Sequence, residues 1–233
     1  MLTSRTVLIT GAAGHLGRAV AAAFDADGAQ LVLVDREAAP LEAAFGGNGE
    51  RRLLAPCDLL DAAAVQQVVD AALQRFGRID VLCNIAGGFG MGEAVHETSD
   101  ATWERLLDLN ARTLLHAARA VVPAMLARRS GKIVNVGAAS AHKGLARMGA
   151  YTASKSVVVR LTEAMAAELR DQGINVNCVL PTIIDTPDNR RAMPDADPSR
   201  WVAPADLAAV MRFLASDAAR AVHGAALPVA GLS

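Results

Sequence analysis

Tyrosine is almost absent from these 233 residues: Tyr151 is the only one, and aromatics make up 3% of the chain. Cysteine is nearly as scarce. Cys57, Cys83 and Cys178 are three in number and lie in or beside apolar runs, which excludes a disulfide framework and a zinc site and predicts buried thiols in a reducing cytoplasm. No excess charge of one sign exists, because 23 Lys and Arg face 24 Asp and Glu for a net charge of −1. The basic residues are scattered, so nothing marks a nucleic-acid partner. No apolar run approaches the ~18 residues of a membrane-spanning helix, so no membrane partner is expected. The opening MLTSRTVLIT lacks the basic, apolar and small-residue regions of a signal peptide. Ser/Gly linkers and low-complexity tracts are missing too, and residues 1–233 read as a single domain.

What the chain does have is alternation. TVLIT (6–10), QLVLVD (30–35), RLLAPCD (52–58), VLCNIAG (81–87), KIVNVG (132–137), NVNCVLP (175–181) and AALPV (225–229) are short apolar runs, as strands buried on both faces require. Between them stand helical patterns such as LGRAVAAAFDADG, DAAAVQQVVDAALQRFG and YTASKSVVVRLTEAMAAELRDQG, each stopping at a glycine. This succession predicts an α/β fold with a doubly wound parallel sheet, a Rossmann fold. Residues 186–204, rich in Pro and Asp, read as the one long irregular segment and as a substrate loop beyond a strand's C-terminal end.

TGAAGHLG follows the first strand and opens the first helix. Gly11, Gly14 and Gly17 allow a tight turn and close approach to a pyrophosphate, with His15 and Leu16 at the helix N-terminus that supplies free N–H groups. Asp35, at the end of the second strand, can accept hydrogen bonds from an adenosine ribose and repels a 2′-phosphate, so NAD(H) is favoured. Arg36 beside it leaves NADP(H) open, because a guanidinium binds phosphate. Tyr151 and Lys155, at i and i+4, share a helix face, and an ammonium there is expected to lower the phenol's pKa toward working pH. Tyr151 then serves as acid in reduction and base in oxidation. His96, His116 and His223 form no ligand set, and no metal is expected.

In this order the glycine turn, LCNIAG, Asn110 and the Tyr151/Lys155 pair resemble the short-chain dehydrogenase/reductase family over essentially the whole chain. The resemblance implies an NAD(P)(H)-dependent oxidoreductase that moves hydride to or from a small carbonyl or alcohol, or a C=N or quinonoid substrate. It implies that Asn84, Ala86 and Gly87 support the cofactor, that Asp58 and Leu59 hold the adenine end, and that Pro181, Ile184 and Thr186 meet the nicotinamide side. Asn110 matches the asparagine of a proton relay, and Lys155 also holds the nicotinamide ribose. A homodimer or homotetramer is implied as well.

Two positions depart from the family pattern. His15 replaces the middle glycine, and Ala138 occupies the place of the catalytic serine, leaving Ser140 as the nearest hydroxyl. Both departures, together with TPDNRRAMPDADPSRW, resemble the quinonoid dihydropteridine reductase branch. An NAD-binding sensor or scaffold without catalysis stays open because of Ala138. A nucleotide-sugar epimerase fits the glycine spacing, but little chain follows Pro181 for a substrate domain.

Overall fold

All seven apolar runs become strands of one sheet in the computed structural model, which describes residues 5–233. Residues 1–4, where the single-domain reading and the leader reading begin, lie outside the described residues. The strands are β1 (Thr6–Thr10), β2 (Gln30–Asp35), β3 (Arg52–Pro56), β4 (Val81–Asn84), β5 (Gly131–Val136), β6 (Ile174–Pro181) and β7 (Ala226–Val229). They are parallel throughout and ordered β3-β2-β1-β4-β5-β6-β7. The chain order reverses between β1 and β4, and in such a sheet the crevice beyond the carboxyl ends at that reversal is the ligand site.

The helices are α1 (His15–Ala26), α2 (Ala38–Phe45), α3 (Ala62–Phe76), α4 (Asp100–Leu107), α5 (Thr113–Arg128), α6 (Gly149–Leu169), α7 (Pro187–Ala192) and α8 (Pro204–Leu214). They cover both faces of the sheet, which is why its strands are apolar without a break. Val7 and Ile9 of β1 pack with Val20 and Phe24 of α1 and Leu207 and Met211 of α8. Leu8 of the same strand packs on the other face with Val65 and Val69 of α3 and Val121 and Met125 of α5. Between α4 and α5 the chain makes one π-helical turn, Asp108–Arg112, which holds Asn110. Such turns concentrate at functional sites.

The segment 186–204 is not the irregular loop that its composition predicts. It contains α7 and a 3₁₀ turn at Pro198–Arg200. Each starts on a capping side chain followed by proline: the Thr186 hydroxyl accepts from the Asn189 amide (3.2 Å), and the Asp197 carboxylate from the Ser199 amide (3.0 Å). Capping oxygen and pre-set proline φ together stabilise even a short helix.

At the opposite end of the sheet the buried Asp80 carboxylate accepts from the Thr6 amide (2.9 Å), Arg78 Nε (2.8 Å) and Arg128 Nη2 (2.9 Å). Burial alone would raise its pKa, but the hydrogen bonds from Arg78, Thr6 and Arg128 outweigh that effect and hold it below the ordinary aspartate value. A depressed carboxyl contributes stability above its unfolded pKa and loses it as pH falls through the folded one. Asp80→Asn is therefore expected to cost about 2–4 kcal/mol in urea unfolding at neutral pH. It should also weaken the decline of stability below about pH 4.

Candidate active site

The first turn is built for close approach. Gly11 has φ +65°, and a Cβ there would lie 2.9 Å from the Ala86 Cα on the segment after β4. A Cβ on Gly17 would overlap the Gly11 carbonyl oxygen, so α1 can start where it does only with glycine at that position. Gly14, at φ −69°, adopts a backbone open to any residue, and its amide closes on the Gly11 carbonyl (3.2 Å). The amides of His15, Leu16 and Gly17 open α1, where a helix supplies free donors and positive potential.

Thr10, at the end of β1, ties this turn to the next wall of the crevice. Its hydroxyl accepts from the Ile85 (3.1 Å) and Ala86 (3.2 Å) amides. Asp35 accepts from the Ala13 amide (2.9 Å) with one carboxylate oxygen and the Arg36 amide (2.8 Å) with the other. It is therefore fixed at the end of β2 with lone pairs to spare, while the Arg36 side chain is exposed. Asp58 accepts from the Leu60 amide (2.9 Å), and the Leu59 carbonyl accepts from His116 Nδ1 on α5 (2.9 Å). Asn84 donates to Asn135 (2.9 Å), yet its own Oδ1 is buried without a partner.

The candidate catalytic pair, Tyr151 and Lys155, sits on α6. Lys155 is buried, and its Nζ donates to the Val136 carbonyl (3.1 Å). Gly87 lies against it: a Cβ there would be 2.7 Å from Asn110 Oδ1 and 3.2 Å from Lys155 Nζ. Asn110 donates to the Gly88 carbonyl (3.1 Å) and the Ser154 hydroxyl (3.0 Å) and accepts from the Gly88 amide (2.9 Å). Ser154 passes the chain on by donating to the Tyr151 carbonyl (2.7 Å). One network thus fixes the segment after β4 against the first turns of α6.

Electrostatically, the pair departs from expectation. Burial pulls the Lys155 ammonium down to about 8 and pushes the Tyr151 phenol up to about 12. The predicted lowering of the phenol is not found, because desolvation governs it, and the Phe89 ring packs edge-on against Tyr151 with centroids 5.0 Å apart. Burial thus keeps the Tyr151 phenol neutral.

Other predicted residues stand nearby without joining this network. Ala138 is buried just beyond β5, at the start of a 3₁₀ turn. Ser140 lies in the 3₁₀ turn Ala139–His142, its buried hydroxyl without a hydrogen-bond partner. Pro181 ends β6, Ile184 bridges to Val202, and Thr186 spends its hydroxyl on the cap of α7. His142 and Lys143 are exposed. No metal-holding group of His, Cys, Asp and Glu occurs among the described residues. Thr10, Phe89, Ser154 and His116 were missed as site residues by sequence reasoning. Thr10 stood inside the glycine turn and was the one with a readable signal.

The glycine cradle, the α1 N-terminus, the orphaned Asn84 oxygen and the Asp35 carboxylate fit a dinucleotide. A family model for short chain dehydrogenases matches residues 5–197. The D-threitol dehydrogenase of Mycolicibacterium smegmatis is 37% identical over 99% of this chain and 93% of its own. The crystal structure of levodione reductase superposes with a TM-score of 0.90 at 32% identity, covering 98% of this chain and 97% of that one. The structure of an NAD⁺-bound xylitol dehydrogenase superposes with a TM-score of 0.88 at 27% identity, covering 99% of both chains.

Proposed function

The chain belongs to the short-chain dehydrogenase family and is an NAD(P)-binding oxidoreductase, and we propose that it interconverts a small ketone and its secondary alcohol with NAD(H). The observation that carries this reading is the placement of Tyr151 and buried Lys155 on one face of α6, with Lys155 Nζ between the Val136 carbonyl and Gly87. The relatives include a polyol dehydrogenase and a ketone reductase by name, in keeping with that chemistry.

The bound nicotinamide supplies or accepts the hydride at the carbonyl carbon. Tyr151 gives its proton to the carbonyl oxygen as the alcohol forms and takes it back in the reverse direction. Lys155, cationic below about pH 8, stabilises the phenolate left on Tyr151 and offers a donor to a ribose hydroxyl. Asn110 and Ser154 hold Gly88 and Tyr151 in register, and orientation of this kind supplies much of the rate. Gly11, Gly14, His15, Leu16 and Gly17 would hold the pyrophosphate of the dinucleotide. Asp58 and Leu59 would hold its adenine end, Asn84, Ala86 and Gly87 would support the cofactor site, and Pro181, Ile184 and Thr186 would meet the nicotinamide side.

A second reading, an imine or quinonoid acceptor such as a quinonoid dihydropterin, is favoured by Ala138 alone. Delocalised charge in such an acceptor needs no serine to steady an oxyanion. Steady-state turnover on a panel of ketones, diketones, cyclic imines and quinonoid dihydropterin with NADH decides between the two. Turnover of none of them, with NADH bound, would defeat the proposal.

Asp35 carries the cofactor preference. NADH is expected to bind at least about tenfold more tightly than NADPH, since a fixed carboxylate meets the 2′-phosphate. In Asp35→Ala the difference should shrink, with Arg36 free to pair with phosphate. Equal affinities in the wild type, by fluorescence titration, would contradict the assignment. Exposed Trp103 on α4 and Leu115 and Leu126 on α5 support self-association as a homodimer or homotetramer. The free, buried cysteines support the cytoplasm as the working compartment.

A further inference from the structure

Beside Tyr151 opens a cavity of about 110 Å³ whose walls are the loop after β4 (Gly90, Met91, Glu93), Thr102, Arg105 and Leu106 of α4 and the entry to α6. Two guanidinium groups line it, Arg105 and Arg147, against a single carboxylate, Glu93. That carboxylate is engaged elsewhere. It accepts from the Thr102 hydroxyl (3.0 Å) and the Ser99 amide (3.2 Å) at the start of α4, where an acidic group is at home. Neither arginine forms an ion pair with it or with any other acid among the described residues. Arg105 reaches from α4 toward Gly90, and its guanidinium makes no hydrogen bond within the protein among the described residues.

Arg147 is the more telling of the two. Its backbone is left-handed, with φ +60°, a region that glycine enters freely and a residue carrying a Cβ enters at a cost. Only one other non-glycine residue in the described chain shares that conformation. The strain is stabilised by a reciprocal clamp. Gly92 N donates to the Arg147 carbonyl (2.9 Å), and Arg147 Nη1 donates to the Gly92 carbonyl (2.9 Å). The clamp joins two walls of the cavity and leaves most of the guanidinium's donors unspent. A glycine at position 147 would make the same turn without strain, so the arginine's return must come from its side chain.

We propose that Arg105 and Arg147 bind the carboxylate of the substrate, so that the enzyme acts on a small oxo or hydroxy carboxylic acid whose reacting carbon lies at Tyr151. The inference rests on Tyr151 serving the carbonyl. Planar guanidinium groups match a carboxylate in paired, charge-assisted hydrogen bonds, and the cavity has room for a carboxylate with a short arm. Met91 and Met148 line the same cavity and supply the apolar contact for that arm.

Matched pairs of substrates test it: pyruvate, acetoacetate and levulinate against their methyl esters, each with NADH, in the wild type, Arg105→Gln and Arg147→Gly. At the chain length that fits, the acid should exceed its ester by about tenfold or more in kcat/KM. In either variant that ratio should fall to about one through a rise in KM for the acid. Arg147→Gly keeps the left-handed turn but loses the hydrogen bond to the Gly92 carbonyl. Arg105→Gln removes a guanidinium that makes no hydrogen bond within the protein among the described residues, so it is the variant whose unchanged melting temperature separates lost recognition from lost folding. Esters reduced as well as acids by the wild type would overturn the carboxylate site while leaving the ketone reductase reading intact. An acid preference that survives both substitutions would overturn the placement at Arg105 and Arg147. Reduction of neither acids nor esters at any length would overturn it too, and the reading of Tyr151 would then be judged on the wider panel of carbonyl and imine substrates.

Discussion

Tyr151→Phe is expected to lower turnover about 10³-fold, or ~4 kcal/mol of barrier, because it removes the proton donor while leaving the ring against Phe89. Stability should hold, since the phenol is not committed to any hydrogen bond within the described protein that the ring could not forgo. The comparison that gives this result meaning is Ser140→Ala. The Ser140 hydroxyl is buried and unpartnered and lies apart from the network of Asn110, Ser154 and Tyr151, so its loss should cost less than about tenfold in rate. Removal of a donor aimed at developing negative charge costs about a hundredfold or more. Equal damage from Ser140→Ala and Tyr151→Phe would mean that Ser140 has taken over the missing role of Ala138. Ala138→Ser is the complementary measurement. It should help simple ketones more than imine or quinonoid acceptors, because only the ketone gathers charge on one oxygen as hydride arrives.

The strands were legible because a parallel sheet covered on both faces demands unbroken apolar runs, and nothing else in the chain explains seven of them. The glycine turn was legible for a local reason as well. Gly17 is required by contacts within the turn itself, and Gly11 by its left-handed φ of +65°. The segment after β6 misled because Pro and Asp read as loop formers, whereas Thr186 and Asp197 use the same chemistry to start helical turns. Less accessible were groups whose role depends on a distant strand. Thr10 holds the Ile85 and Ala86 amides, and Ser154 relays from Asn110 to the Tyr151 carbonyl; neither pairing has any period in the sequence. The direction of the Tyr151 shift failed for the same reason. Spacing in the sequence placed a cation one turn away, but the burial that dominates is a property of the assembled site.

Lys155→Met should separate the lysine's catalytic worth from its cost to the fold. Burial brings the Lys155 pKa from an ordinary 10.5 down to about 8. Below about pH 8 the lysine is charged in both folded and unfolded chains, so the folded protein bears the full cost of burying it. Between the two values the unfolded chain keeps a proton that the folded chain has released, and stability rises with pH through that window. A shift of this size corresponds to about 3 kcal/mol, partly offset by the hydrogen bond to the Val136 carbonyl. The methionine variant should therefore unfold at neutral pH at an equal or higher denaturant concentration than the wild type, and the rise between about pH 8 and 10 should vanish. Its turnover should fall by about a hundredfold or more, with weaker NADH binding from the lost ribose contact. The pH profile links the two effects. Wild-type reduction should be level to about pH 8 and decline above it as Lys155 loses its charge, while Tyr151, with a pKa near 12, stays protonated throughout. In Lys155→Met the residual rate should show no such decline. A wild-type profile level through pH 10, or a variant that retains the decline, would place the controlling ionisation on another group.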